Sequence, residues 1–318
     1  MSLFSDFDLL PSLQKTLKEK KLTKPTEIQA LALPLLLNKK SIVALSETGS
    51  GKTLAYALPI LHHLKSLELQ GQSVMAASTP RALVLAPTRE LGEQISKVFK
   101  GLTHDTRLRV RTALGGEAFE QTLRNIQNEF EVLLATPGRL VQLLERKIIH
   151  LEDVRIVIFD EADQMVDEGF LPDSKRISST CKNAKQWGLF SATIPKKVQT
   201  LLDNLFKGVQ VVQSQSSHRT VASLNTRNCK VTDGNRWPVL EKILSESSKG
   251  DSGGTLIFTN TREQCDKLAK VLEQNNIPCA IYRGDMEKNK RRTNLKKFRL
   301  GQIDLLVTTE LGSRGLDI

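Results

Sequence analysis

The chain has 318 residues, enough for two domains at roughly 150 residues each, and its 39% hydrophobic and 25% charged residues are the balance of a globular protein. Its 46 Lys and Arg against 35 Asp and Glu leave a net charge of +11, which points toward a polyanionic partner without saying which one. No run approaches ~18 consecutive apolar residues and the opening Met1-Ser-Leu-Phe-Ser-Asp-Phe-Asp8 is acidic, so no membrane span and no export signal are expected, and the cytoplasm is the expected location.

In chain order, Leu at three- and four-residue spacing predicts a helix over 11–20, and the apolar run Ser41–Leu45 predicts a buried strand. A helix over 52–66 follows. The runs Leu83–Ala86, Glu131–Ala135, Arg155–Phe159 and Gly188–Ser191 then read as further strands, separated by helices over 90–101, 117–128 and 138–145. Alternation of strand and helix implies a parallel sheet covered on both faces. The polar stretch 213–224 reads as a linker, which divides the chain into domains 1–212 and 225–318. In the second, Thr255–Phe258, Cys279–Tyr282 and Asp304–Thr308 are strand-like, with helices over 261–275 and 286–299. The four cysteines, Cys181, Cys229, Cys265 and Cys279, lie far apart with no C-x-x-C pair, which argues against a zinc site or a disulfide framework.

The strongest local signal is Ser46-Glu47-Thr48-Gly49-Ser50-Gly51-Lys52-Thr53, which follows a strand and opens a helix. In that setting backbone N–H groups and a helix N-terminus wrap phosphates; Lys52 reaches the β- and γ-phosphates, and the Thr53 hydroxyl ligates Mg²⁺. Such a loop needs an acidic partner at the end of a neighbouring strand. Asp160-Glu161, after Ile156–Phe159, meets that need: Asp160 would hold Mg²⁺, partly through water, and Glu161 would orient or deprotonate the attacking water. By itself an acidic pair after a strand is also an ordinary helix cap.

With Asp160-Glu-Ala-Asp163, the chain resembles the DEAD-box ATP-dependent RNA helicases. The matches continue in order: Pro87-Thr88-Arg89-Glu-Leu91, Gly115-Gly116, Thr136-Pro137-Gly138-Arg139-Leu140, Ser191-Ala-Thr193, Leu256-Ile-Phe-Thr259 and Ser313-Arg-Gly-Leu-Asp-Ile318. The resemblance implies two RecA-like α/β domains, ATP and Mg²⁺ as cofactors, and single-stranded or short duplex RNA as partner, alone or within ribonucleoprotein complexes, for a chain expected to be monomeric. Pro25-Thr-Glu-Ile-Gln29 resembles the adenine-reading element. A carboxamide both donates and accepts, so Gln29 can pair with the N6–H and N7 edge of adenine, and Phe4, with Phe7 as the alternative, matches the ring that stacks on the base.

The resemblance further assigns RNA-backbone contact to Pro87, Thr88, Arg89, Gly115, Gly116, Thr136, Pro137, Gly138 and Arg139 in the first domain. In the second it assigns the same role to Thr259, Arg262, Gly284, Asp285, Arg291 and Thr308. Arg89 and Arg139 could instead be ion-pairing arginines. Contacts of this kind carry little base information, so low sequence preference is expected. Asp163, Ser191 and Thr193 are expected to couple nucleotide state to RNA, and Gly315 and Asp317 to reach ATP. From Arg283 to Arg299 eight basic residues face two acidic ones, the densest charge in the chain, with Lys288 where the family commonly has Gln. Glu310 stands where Asp is usual. The family's arginine-finger element has no counterpart up to Ile318, so a second domain incomplete at its C-terminal end and weak hydrolysis by this chain are expected, with an RNA clamp that does not unwind as the alternative function. A P-loop kinase or DNA translocase fits less well, because neither is expected to combine the Gln29 element with every RNA-path match.

Overall fold

In the computed structural model the chain divides into two compact units, Met1–Arg219 and Thr220–Ile318. The structure describes residues 2–167, 169–194, 209–214, 227–231, 233–247 and 254–309. Most of the expected linker 213–224, together with Glu310, Gly315 and Asp317, lies outside those residues.

The first unit is built on seven parallel strands in the order β3-β4-β2-β5-β6-β1-β7. They are β1 (Ile42–Leu45), β2 (Ala82–Leu85), β3 (Val110–Ala113), β4 (Val132–Ala135), β5 (Ile156–Asp160), β6 (Gln186–Ser191) and β7 (Gln210–Gln213). Successive side chains on a strand point to opposite faces, and the core separates accordingly. Ile42, Ala44, Ala82, Val84, Ile156 and Ile158 pack into one apolar cluster. Val43, Leu83, Leu85, Val157 and Phe159 pack into the other. Continuous apolar strands are therefore what a sheet covered on both sides requires.

Among the described residues eight α-helices cover it: α1 (Pro11–Glu19), α2 (Glu27–Leu37), α3 (Lys52–Leu69), α4 (Arg89–Leu102), α5 (Phe119–Ile126), α6 (Pro137–Glu145), α7 (Ala162–Asp167) and α8 (Leu171–Thr180). α2, α7, α8, β3 and β7 were not among the sequence expectations. α2 is apolar almost all round, with Pro34 inside it, so it shows no amphipathic period. β3 is an outer strand whose Arg111 and Thr112 are only half-buried, which breaks the apolar run that marks inner strands.

The second unit holds β8 (Thr255–Thr259), β9 (Ala280–Tyr282) and β10 (Leu305–Thr309), all parallel, in the order β8-β10-β9. Its helices are α9 (Trp237–Ser247), α10 (Arg262–Gln274) and α11 (Lys288–Arg299). Cys181 and Cys265 are buried, Cys279 is half-buried and Cys229 is exposed; all four are free thiols. No helix among the described residues is long and apolar enough to cross a membrane.

Candidate nucleotide and RNA sites

Strand order sets the site. β5, β6 and β1 are neighbours, so Asp160, Ser191 and the loop beginning at Ser46 emerge side by side at the carboxyl ends of three adjacent strands, where ligands of parallel α/β sheets bind. The Ser46 N–H donates to the Ser191 carbonyl at 3.0 Å, which ties the start of the loop to the end of β6. Ser50 closes the loop by donating to Ser46 Oγ at 2.9 Å or to the Glu47 carbonyl at 2.8 Å. Thr48 and Gly49 form its exposed crest.

Gly49 and Gly51 have φ of +79° and +91°. Only glycine adopts such angles without strain, and at Gly51 space forbids a side chain as well, since a Cβ would lie 2.3 Å from Gln29 Nε2. Gln29, which also closes the capping box of α2, accepts from the Thr26 N–H at 2.9 Å and donates to the Gly51 carbonyl at 3.0 Å. The expected adenine reader is thus buried against the phosphate loop, with one lone pair and one N–H still uncommitted. Of the two expected stacking rings, Phe4 is in the core, whereas Phe7, 6.4 Å away by ring centroid, is half-buried.

Lys52 opens α3 and is buried. Its Nζ lies 2.8 Å from Glu161 Oε1 and 3.2 Å from the Ser46 carbonyl, so phosphate loop and acidic pair are joined by one ion pair. Glu161 holds a left-handed backbone at φ +52°, which a side chain with a Cβ adopts only at a cost. Asp160 accepts at Oδ1 from the Glu161 N–H at 3.1 Å and at Oδ2 from the Tyr56 hydroxyl at 2.7 Å. Burial first, and the Glu161 carboxylate second, push Asp160 up to about 6, against the pull of Lys52 and Tyr56. Two carboxylates sharing one ammonium are short of positive charge. A divalent cation beside Asp160 and Thr53 would supply it, so this donor set fits Mg²⁺ with a nucleotide. Tyr56, buried on the second turn of α3, was not singled out from sequence. It is four residues past Lys52, so helical spacing places it on the same face, and that was the available signal.

Asp163, on α7, bridges to β6. Its Oδ2 accepts from the Thr193 N–H and from Thr193 Oγ1, both at 3.0 Å, while its own N–H donates to Ser191 Oγ at 3.1 Å. Ser191 Oγ in turn donates to the Thr193 carbonyl at 2.7 Å. The expected coupling residues therefore form one closed hydrogen-bonded group.

The remaining motifs occupy the other half of the same sheet edge, after β2, β3 and β4. Thr88 caps α4 by accepting from the Leu91 N–H. Gly115 donates its N–H to Thr136 Oγ1 at 2.9 Å, Arg89 donates to the Gly116 carbonyl at 2.9 Å, and Arg139 donates to the Glu117 carbonyl at 2.6 Å. Residues after β4, the neighbour of β3, and after β2, the next strand along, thus clamp the turn 115–117. Arg89 also pairs with Glu117 at 2.9 Å and Glu93 at 2.7 Å. Arg139 is buried, donates to Thr122 Oγ1 at 2.8 Å and lies 5.4 Å from the Phe119 ring; burial holds its guanidinium below the usual arginine range. Pro87 and Pro137 are buried and Gly138 is half-buried, while Gly116 is exposed. Arg89 therefore pairs with carboxylates, whereas Arg139 is held by a carbonyl, a hydroxyl and a ring, with no ion pair among the described residues.

In the second unit, Thr259, Gly284 with Asp285, and Thr308 again follow or end the parallel strands. Thr259 Oγ1 donates to the Thr308 carbonyl at 3.2 Å, and the Thr308 side chain is buried. Arg283 pairs with Asp266 at 2.7 Å and Asp285 at 3.3 Å, and exposed Arg262 lies 3.9 Å from Asp285. Arg291 donates to the Gly284 carbonyl at 3.3 Å and sits 5.7 Å from the Tyr282 ring centroid.

A parallel sheet with a glycine-rich loop after one strand, and a carboxylate pair ending another, defines the P-loop class of nucleotide-binding folds. Within it, residues 26–201 match the DEAD/DEAH box helicase family and residues 235–318 match the helicase conserved C-terminal domain, and the chain belongs to the DEAD-box helicase family with two RecA-like domains. It is 32% identical over 317 residues to the ATP-dependent RNA helicase RhlB of Actinobacillus succinogenes, covering 99% of this chain and 75% of that protein. It is 33% identical to the DEAD-box ATP-dependent RNA helicase RhpA of Helicobacter pylori, covering 99% of this chain but 61% of the relative. Among solved structures, Saccharomyces cerevisiae Dbp5 bound to RNA and ADP BeF3 superposes with a TM-score of 0.81 at 28% identity, covering 99% of this chain and 78% of that one. A DEAD box protein from Methanococcus jannaschii gives 0.61 at 27% identity, covering 99% and 82%.

Proposed function

We propose that this chain is an RNA-dependent ATPase of the helicase type, which grips RNA by its backbone with little sequence preference and separates short duplexes or remodels RNA–protein complexes. The observation that carries this reading is the division of one sheet edge. The phosphate loop and acidic pair lie at the ends of β1 and β5, the clamped turn 115–117 lies at the ends of β2, β3 and β4, and Asp163, Ser191 and Thr193 form a group beside the acidic pair. ATP would be held by the loop 46–53 and Gln29, with Phe7 or Phe4 toward the base and Gly315 and Asp317 contributed from the second unit. Mg²⁺ would be held by Thr53 and Asp160, partly through water. Glu161, released from Lys52 when the phosphates take that ammonium, would orient the attacking water.

RNA would run along Pro87, Thr88, Arg89, Gly115, Gly116, Thr136, Pro137, Gly138 and Arg139, and along Thr259, Arg262, Gly284, Asp285, Arg291 and Thr308. Binding of both ligands would draw the two units together and bend the strand, and hydrolysis would release it, because ATP favours the closed state over the open one. The protein would act as a cytoplasmic monomer. Steady-state ATP hydrolysis with no nucleic acid, with single-stranded RNA and with the same strand as DNA tests this. RNA should stimulate and DNA should not, and Glu161→Gln should lower the RNA-stimulated rate by about 10²-fold or more while nucleotide still binds. Equal stimulation by DNA would overturn the RNA assignment. Stimulated hydrolysis without release of a short duplex would leave a clamp instead of a helicase.

A further inference from the structure

α11 has the sequence KNKRRTNLKKFR: seven basic residues, no acidic one, in twelve positions. The segment Arg283–Arg299 carries eight basic and two acidic residues, 8 − 2 = +6, more than half of the whole chain's +11 in seventeen residues. A helix that needs charge only for solubility mixes signs, and the neighbouring α10 does so. It holds three basic and three acidic residues, with Lys267 paired to Glu263 at 2.7 Å and Asp266 paired to Arg283 at 2.7 Å. α11 has no such internal compensation.

Packing separates the helix into two faces. Leu295 and Phe298 sit in the apolar cluster with Tyr282 and Leu306, and Asn294 donates to the Ile281 carbonyl at 2.8 Å, so one side is held against β9. Lys290, Arg292, Lys296 and Lys297 are exposed on the rest of the helix, and none of the four forms an ion pair among the described residues. Arg292 and Lys296 are four apart, about one turn or 5.4 Å along the axis, and Lys290 and Lys297 are seven apart, about two turns. Between Lys290 and Arg299 the exposed positions hold no apolar residue, which leaves nothing to enter a lipid surface, and no aromatic, which leaves nothing to stack on a base.

Resting on the reading of this chain as an RNA-binding ATPase, we propose that the outer face of α11 is an auxiliary phosphate-binding surface for the RNA strand that runs on beyond the core motifs. RNA is favoured over an acidic protein by continuity. Arg291, in the first turn of α11, donates to the Gly284 carbonyl at the end of β9 and is flanked in sequence by exposed Lys290 and Arg292, so a strand held at Gly284–Asp285 meets the N-terminal end of this basic face. The contact is made to phosphates alone, is independent of sequence, and counts only for RNA long enough to reach it.

The test compares the full chain with Arg292→Gln/Lys296→Gln/Lys297→Gln. Glutamine keeps helix propensity close to that of Lys and Arg, and exposed substitutions of this kind leave stability nearly unchanged. Equilibrium binding is measured across a salt series, first for the shortest single-stranded RNA that stimulates hydrolysis and then for a strand several times longer. The long strand should bind the variant about tenfold more weakly at physiological salt, and the slope of log K against log salt should shrink by about 2, about 0.7 for each of three lost phosphate contacts. The short strand and its stimulation of hydrolysis should be unchanged. An unchanged slope for the long strand, with the wild type binding RNA normally, overturns this inference alone. An equal loss for the short strand overturns it too, because the residues then belong to the core site. Polyglutamate that displaces the long RNA at equal charge concentration overturns it in favour of an acidic protein partner. No RNA binding by the wild type removes the functional reading itself.

Discussion

The buried contact between Lys52 and Glu161 is where nucleotide first has to act. On the proposed function, a phosphate that took that ammonium would free Glu161, and Asp160 with Thr53 would hold the Mg²⁺ that balances the two carboxylates. Tyr56 keeps Asp160 oriented through that exchange. Tyr56→Phe deletes its hydrogen bond while retaining the ring, and should raise the Mg²⁺ concentration for half-maximal hydrolysis about fivefold, the equivalent of about 1 kcal/mol. Mg²⁺ titrations of the ATPase rate check this, and an unchanged midpoint would reduce Tyr56 to a packing residue. Gly51→Ala should do more damage. It places a side chain at φ +91° and drives it into Gln29, so a stability loss of about 1–3 kcal/mol should accompany loss of nucleotide binding, read by chemical unfolding and nucleotide titration.

Elements, not single residues, hold the turn 115–117. Arg139, at the start of α6, reaches it from β4, and Arg89, at the start of α4, reaches it from β2. Arg139→Ala strips the Glu117 carbonyl and Thr122 Oγ1 of their donor inside the core and should destabilise the first unit by about 2–3 kcal/mol, measured by urea unfolding. A loss of RNA affinity with no loss of stability would contradict this and leave RNA contact as the main role of Arg139. The same elements show what could be read from sequence. The buried strands β1, β2, β4, β5 and β6 announced themselves as apolar runs, and the phosphate loop and acidic pair by spacing alone. α2 and β3 did not, since a helix apolar on all sides and an outer strand with polar residues both lack the expected period. Motif matching placed Arg89 and Arg139 beside the RNA path, yet their carbonyl and carboxylate partners lie on a different strand end and become visible only once the order β3-β4-β2 is known.

At the scale of the whole molecule, strand order puts the phosphate loop with its acidic pair and the clamped turn 115–117 on one edge of one sheet, which on the proposed function is the economical way for nucleotide and RNA sites to sense each other. Stability should carry its own pH signature. His62 accepts from the Leu10 N–H and His63 Nε2 lies 2.9 Å from the Leu36 carbonyl, and burial pulls both below 6.5. Their folded-state affinity for protons is lower than the unfolded chain's, so the stability they contribute is present above about pH 6.5 and is lost as pH falls below it. Asp160, held up near 6, contributes with the opposite sign in the same window, so the histidine share is read as a difference: between about pH 7.5 and about pH 5.5 the urea midpoint of His63→Gln, which cannot titrate there, should shift less toward lower stability than that of the wild type. The central claim is that nucleotide state governs the grip on RNA. The most direct measurement is single-stranded RNA affinity with a non-hydrolysable ATP analogue and Mg²⁺, with ADP and Mg²⁺, and with no nucleotide. The analogue should tighten binding by about tenfold or more over ADP, an effect lost in Lys52→Ala. Equal affinity in all three states would contradict the coupling of the two halves of the sheet edge, whatever the rate of hydrolysis.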